Sequence, residues 1–400
     1  MLCRLTIQNF GSILEAQTLD LDISRKVPID LARQLQAPDG VRVPNVAALF
    51  GPNGSGKSTV LRAIWFLSDF ILNSASRSPK QHIGIAPFAN RDGLRSNTII
   101  TIEFYSNCLN TEVNELYRYK IEACPIGTEV RETVLRHVLE ERLDWRPKGK
   151  WIPLMERQGE NLIFRGPIKH LQRTIPSTAL HRRNASALSL LDQFAPDDQF
   201  NRLLQRSFSM FTNFRHWTKD SFTESELIDT FEKDPECLES LVRSIRMADI
   251  GIEDVEIHGS DETKKLAFRH RGLALLPLKS ESQGTQNFVR LFPVLHAELT
   301  FGGIALMDEL DSDLHPMLLR EILRWFRDPE INRSGAQLIM ACNNTALMDE
   351  LAKEEIFFTA KSDEGKTELY ALKDIPNVRR QANFQREYLA GLYGAIPRIG

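Results

Sequence analysis

Residues 51–59, GPNGSGKST, combine three glycines, a lysine and hydroxyl side chains in one short stretch. Glycine admits backbone angles that a Cβ disfavours, so consecutive N–H groups can converge into a nest for an anion. A helix beginning at the end of such a turn adds its positive pole to the attraction. Gly51, Gly56, Lys57 and Ser58 satisfy G-x-x-x-x-G-K-[ST], the Walker A spacing. In that pattern the lysine reaches the β- and γ-phosphates of a nucleotide and the hydroxyl serves Mg²⁺. Far down the chain, Asp308 and Glu309 end the apolar run Ile304–Met307. The carboxyl end of a buried strand is where open α/β sheets place their ligands. Asp308 suits the Walker B role of holding Mg²⁺, and Glu309 could polarise an attacking water. Read alone, the same two acids would also cap a helix with Pro316 in its first turn.

A second helix start carries Ser282, Gly284 and Thr285 just ahead of Phe288, Leu291, Phe292, Val294 and Leu295, which share one helical face. A serine, a glycine and a threonine around a helix N-terminus make another anion site, or an ordinary N-cap. Two phosphate-binding helix ends in one chain make sense when the second closes over a nucleotide held by another copy.

These residues need elements to hold them. The apolar run Val46–Phe50 predicts a buried parallel strand before the turn, and Val60, Leu61, Ile64, Trp65 and Leu67 recur at helical spacing after it. The start, MLCRLTIQNFGSI, alternates like a half-buried strand and lacks the apolar core of a signal peptide. Residues 98–165 predict a strand-rich lobe through TIITIEFYS, LYRYKIEA, HVLEERLDW and NLIFRG. Residues 170–250 turn helical, through SALSLLDQF, QFNRLLQRSFSMFTNF and CLESLVRSIRMADI, with no heptad sustained long enough for a coiled coil. EEIFFTAKSDEGKTELYAL predicts a hairpin around Asp363–Gly365. The resulting division is an N-terminal ATPase lobe over 1–168, a compact helical insert over 169–255 and a C-terminal ATPase lobe over 256–400.

Composition agrees with a globular chain: 400 residues, 42% hydrophobic and 26% charged. No stretch reaches membrane-spanning length. The five cysteines, Cys3, Cys108, Cys124, Cys237 and Cys342, are scattered without a C-x-x-C pair, which predicts reduced thiols in a cytoplasm and argues against zinc. A net charge of −3 gives no global pull toward nucleic acid. Basic residues do gather at Arg131, Arg136, Arg142, Arg146, Lys148 and Lys150 and again over 165–183, beside Trp145, Trp151 and Phe164. Glu132, Glu140, Glu141, Asp144 and Glu156 are interspersed, as on a solvated face.

The order of Walker A, Ser-x-Gly-Thr helix and Walker B resembles the ATP-binding-cassette heads of the SMC and RecF type. Within them it looks most like the stand-alone ABC-type ATPases of prokaryotic abortive-infection and phage-defence operons. LTIQNFGSI, SESQGT, LMDELDSDLHP, AQLIMACNNTALMDEL and YLAGLYGAIP carry that resemblance. It implies an α/β P-loop head with a strand-rich lobe and a compact helical insert. It also implies ATP and Mg²⁺ as cofactors. Gly51, Asn53, Gly54, Ser55, Gly56, Lys57, Ser58 and Thr59 are then the phosphate contacts, with Ser58 and Asp308 on the metal. Ser282, Gly284 and Thr285 are the contacts in trans, and Glu309 is the catalytic acid. The family's switch-loop histidine is matched here by Asn343, whereas His315, where SMC-type heads end the D-loop in an Asp, follows this family's LHP. An amide can hydrogen-bond to a γ-phosphate oxygen or the lytic water but brings no positive charge, so slow hydrolysis is expected. Gln81 is the candidate Q-loop residue by order. The resemblance further implies a homodimer or higher homo-oligomer, a separate effector such as a nuclease or toxin encoded nearby, and no membrane. A RecF- or SMC-like DNA-repair ATPase and a slowly hydrolysing ATP-locked scaffold are the alternatives; a transporter subunit is disfavoured by the long span from Walker A to Ser282.

Overall fold

The computed structural model of this chain describes residues 1–30, 32–111, 113–126, 136–209, 211, 212, 214, 215, 218, 219, 222–248, 251–260, 264–314 and 316–397. A six-stranded sheet lies at its centre, in the order Phe211–Thr212, Ile304–Asp308, Gln337–Ala341, Val46–Phe50, Ile356–Lys361 and Thr367–Ala371. The first five strands run parallel, and the last returns antiparallel on its neighbour.

Every residue of Val46–Phe50 is buried. A strand covered on both faces must be apolar throughout, and alternate side chains then serve opposite cores. Ala47 and Leu49 face one core with the helix Lys57–Asn73, whose Val60, Leu61, Ile64 and Leu67 are fully buried. Val46, Ala48 and Phe50 face the other, with Phe288 and Leu295 of the helix Gln283–Phe301 and Ile322 and Phe326 of the helix Pro316–Arg327. Burial of each Val, Leu, Ile or Phe side chain among them contributes about 1.5–3 kcal/mol, so both faces hold the strand in place.

A seven-stranded antiparallel sheet joins the first core, in the order Asn161–Phe164, Ile152–Gln158, Arg136–Trp145, Glu115–Pro125, Thr98–Ser106, Leu2–Gln8 and Gln17–Asp20. Its strand Ile152–Gln158 is one that the sequence reading did not pick out. The helices within 169–255 divide between the two cores. Ala187–Phe194 and Gln199–Phe208 pack with Lys57–Asn73, whereas Glu224–Lys233 and Pro235–Ala248 pack with Gln283–Phe301. The segment expected to continue as helix after Phe208 instead supplies Phe211–Thr212 as an edge strand, paired with Ala305 and Leu306. A small antiparallel sheet of Ile252–His258, Lys265–His270 and Leu276–Pro277 leads into the second helix start. Among the described residues no helix is long and apolar enough to cross a membrane.

Candidate functional site

Register decides which residues meet. Asp308 pairs with Ala341, and Ala341 with Leu49, so three parallel strands end in one row. The chain leaving each strand therefore emerges at the same carboxyl edge of the sheet. There the loop 51–56, the acids Asp308 and Glu309, and Cys342–Asn344 come together.

The loop is seated by close contact. Gly51 and Gly56 have φ of +148° and +113°, in the region that favours glycine. A Cβ on Gly51 would stand 2.1 Å from the Thr359 carbonyl oxygen, and one on Gly56 would stand 2.2 Å from Thr367 Oγ1. Both threonines belong to the C-terminal hairpin, and each also bonds the loop. Ser55 Oγ lies 2.6 Å from Thr359 Oγ1, and Thr367 Oγ1 donates to the Ser55 carbonyl at 2.7 Å. Ser12 completes the brace, 2.8 Å from Thr367 Oγ1 and 3.0 Å from Thr59 Oγ1. The Thr59 hydroxyl, expected among the phosphate contacts, thus faces this brace. Asn53 and Gly54 sit exposed at the tip of the turn.

Lys57 is buried and donates from Nζ to the carbonyls of Gly51 and Pro52, at 2.7 and 3.2 Å. Burial lowers its pKa from the ordinary lysine value, opposed by the nearby carboxylates of Asp311, Glu309 and Asp308. An ammonium held only by loop carbonyls beside these carboxylates is arranged to receive anionic oxygens. Ser58 Oγ donates to Asp308 Oδ1 at 3.0 Å, which brings the expected Walker A hydroxyl and Walker B acid into direct contact. A hydroxyl and a carboxylate oxygen are hard donors of the kind Mg²⁺ selects, and the cradle of Gly51–Gly56 fits a phosphate chain. Glu309 has φ of +52° and ψ of +38°, unusual for a residue with a side chain and typical of strain held at functional sites.

Asp311, which the sequence reading passed over, ties the acid strand's exit to the switch loop. Its Oδ2 accepts the Asn343 N–H at 2.6 Å and also the Asn344 N–H. The side chain of Asn344 caps the next turn through the Ala346 N–H, at 3.0 Å, while the Asn343 side chain is exposed at the row's edge. Cys342 is buried, and burial holds its thiol well above the ordinary value.

Ser282, Gly284 and Thr285 form their own cluster at the start of Gln283–Phe301. Ser282 Oγ accepts the Thr285 N–H at 3.2 Å and lies 2.8 Å from Thr285 Oγ1, with Ser282 itself exposed. Gln81 is exposed and accepts the Ser78 N–H through its own side chain, as a turn residue does. Arg131 and His315 lie outside the described residues.

The basic residues turn mostly inward or onto acids. Arg136 is buried and donates to the carbonyls of Gly93, Ser96 and Ala123. Arg142 pairs with Asp144 and Glu156, Arg165 with Glu156, and Arg183 and His181 with Glu160. Arg157 and Glu141 form a fully buried pair at 2.9 Å. Glu141 also accepts from Tyr119, Ser186 and the Ala187 N–H, so this pair fastens the antiparallel sheet to the helix at 187.

No curated protein matches the sequence significantly. Among solved structures, the SMC head domain from Thermotoga maritima aligns over 92% of this chain and 98% of its own, at 14% identity and a TM-score of 0.45. An SMC head bound to the C-terminal winged-helix domain of ScpA aligns over 92% and 97%, at 14% identity and 0.46. The SMC head from Pyrococcus furiosus, with an extended coiled coil and bound ScpA domain, gives 93% and 96%, 13% and 0.42. The family model described as "AAA domain, putative AbiEii toxin, Type IV TA system" matches residues 46–349, from the strand before the phosphate loop to the turn after the switch strand. Since that match spans most of the chain and both nucleotide-linked motifs, the protein belongs to this AAA-domain family.

Proposed function

We propose that this chain binds ATP with Mg²⁺ at Asn53–Thr59, pairs head-to-tail with a second copy around two nucleotides, and through that state controls a separate effector, a nuclease or toxin, in antiphage defence. The Ser58–Asp308 hydrogen bond carries the reading. It joins two motifs 250 residues apart at the carboxyl edge of the sheet, beside the buried Lys57. When bound, ATP and Mg²⁺ supply the phosphoanhydride bond and the charge that neutralises its oxygens. The residues act around them. Loop N–H groups and Lys57 hold the phosphates, Ser58 and Asp308 hold the cation, and Glu309 orients and polarises water. Ser282, at the start of its helix, is exposed as a trans contact would be, with its hydroxyl held by the Thr285 N–H.

A second reading, an ATP-locked scaffold with slow turnover, draws on Asn343, where a neutral amide replaces an imidazole. The loops divide the readings by rate and not by binding. The test is Glu309→Gln. An amide cannot polarise water as a carboxylate does, so this variant is expected to bind ATP and accumulate a larger assembly in size analysis with ATP and Mg²⁺. An assembly state identical to wild type, with ATP still bound, would remove Glu309 from its role.

A further inference from the structure

Away from the nucleotide site, Asp234, Cys237 and His296 converge from three elements of the second core. Asp234 links the helices Glu224–Lys233 and Pro235–Ala248, Cys237 lies in the first turn of the latter, and His296 projects from Gln283–Phe301. One ligand atom from each lies within 4.8 Å of the others. We propose that these three side chains bind a thiophilic divalent cation of the zinc type, with water as the fourth ligand.

Geometry separates this from a simple ion pair. His296 Nε2 and Asp234 Oδ2 are 3.6 Å apart. That is too long for a good N–H···O bond, whose usual range is about 2.7–3.2 Å. Two ligands about 2.1 Å from a tetrahedral zinc stand about 3.4 Å apart. The observed spacing is thus near the edge of a zinc tetrahedron, and the Cys237 sulfur lies within 4.8 Å of a ligand atom on each of the two residues. Asp234 is also oriented for the task. Its Oδ1 accepts the Cys237 N–H at 3.1 Å, which leaves Oδ2 turned to the imidazole. Backbone support of a ligating carboxylate is the usual outer layer of a metal site. The imidazole stacks at 6.1 Å on Phe292, which also packs against Trp325, so one side of the cluster is dry and its ring is fixed. The half-exposed Asp234 side chain leaves the opposite side open to water.

Thiolate, imidazole and carboxylate together select zinc over Mg²⁺ or Ca²⁺. Burial, with Asp234 adding to it, pushes the Cys237 thiol up to about 12, so the metal-free residue stays a neutral thiol. Binding releases that proton as the Zn–S bond forms. A bound ion would cross-link Pro235–Ala248 to the helix that begins at Ser282. His296 lies about 20 Å along that helix from its start, at about 1.5 Å per residue. The ion would then stiffen the element that presents the Ser282 cluster. Linear motif spacing hides the set, because only the fold brings Asp234-x-x-Cys237 to His296.

The test is titration of the full chain, purified metal-free and without nucleotide, with Co²⁺ alone, followed by absorbance. One equivalent is expected to develop a sulfur-to-cobalt charge-transfer band that Zn²⁺ bleaches. Cys237→Ser should abolish the band, and His296→Ala, which removes a ligand, should weaken Co²⁺ affinity by more than the roughly ten- to hundredfold that loss of an outer-shell partner costs. Cys342→Ser, near the nucleotide site, should leave the band intact. A wild-type protein with no thiolate band, or a band that survives Cys237→Ser, overturns the proposal. Should Cys237→Ser fail to fold, the wild-type titration still decides: a thiolate band with a Zn²⁺-induced rise in melting temperature supports the site, and absence of the band refutes it.

Discussion

Thr367→Val exchanges a hydroxyl for a methyl of similar shape at a residue outside every recognised motif. The Thr367 side chain is buried, and its hydroxyl donates to the Ser55 carbonyl at 2.7 Å. Valine keeps the contact surface facing Gly56 but leaves that carbonyl unpaired. Ser12 retains Thr59 as a partner, so the loss falls on the phosphate loop. An unsatisfied buried acceptor costs about 1–3 kcal/mol. If the nucleotide binds only the seated loop, the apparent Kd rises in inverse proportion to the fraction of time the loop is seated. At about 1.4 kcal/mol per tenfold, the ceiling is roughly five- to a hundredfold weaker ATP binding. Isothermal titration of ATP with Mg²⁺ measures this, alongside a melt that should fall by a few degrees. Thr367→Ser keeps the hydroxyl and should stay near wild type. A folded Thr367→Val protein with ATP affinity within about twofold of wild type would refute the claim that the hairpin seats the loop.

Two further outcomes are expected. Ser282→Arg should block pairing and turnover while leaving ATP binding by the single head intact, and mixing it with Lys57→Ala should restore one competent composite site of two. No recovered turnover in mixtures whose cross-linking shows mixed dimers would contradict the head-to-tail arrangement. Asn343→His should raise steady-state phosphate release roughly five- to tenfold at saturating ATP, because a charge-assisted bond to the developing γ-phosphoryl oxygens replaces a neutral one worth about 1–1.5 kcal/mol less. Its backbone N–H is already fixed by Asp311, so the substitution changes the side chain and leaves the loop tethered. An unchanged rate in a folded Asn343→His protein removes the slow-switch reading.

The parts of the site legible in sequence are those that backbone chemistry specifies locally. Val46–Phe50, the glycine turn, the helix at Lys57 and the acid-tipped strand Ile304–Asp308 each announce themselves by residue type and period. The brace of Ser12, Thr359 and Thr367 does not. Threonine on a half-buried strand is ordinary, and only the fold brings residues 12 and 367 to the loop. Asp311 was hidden for the same reason: its partners are two backbone N–H groups some thirty residues on. Among elements, Ile152–Gln158 escaped notice because IPLMERQ contains a proline and lacks clear alternation. Phe211–Thr212 continues an aromatic helical pattern, yet tertiary pairing with Ala305 and Leu306 makes it a strand. Within the basic stretches, Arg136 counts toward a positive surface in sequence, while the fold buries it.

The claim that most depends on the geometry is that the loop around Lys57 is a nucleotide site. Titrating ATP with Mg²⁺ into the wild-type chain and into Lys57→Ala, with circular dichroism establishing equal folding, tests it directly. Saturable binding by wild type and affinity reduced about ten- to a hundredfold or more in the variant are expected, since a charged group makes bonds worth about 1.5–3 kcal/mol each. Equal affinity in the two proteins, or no binding by wild type, would contradict it.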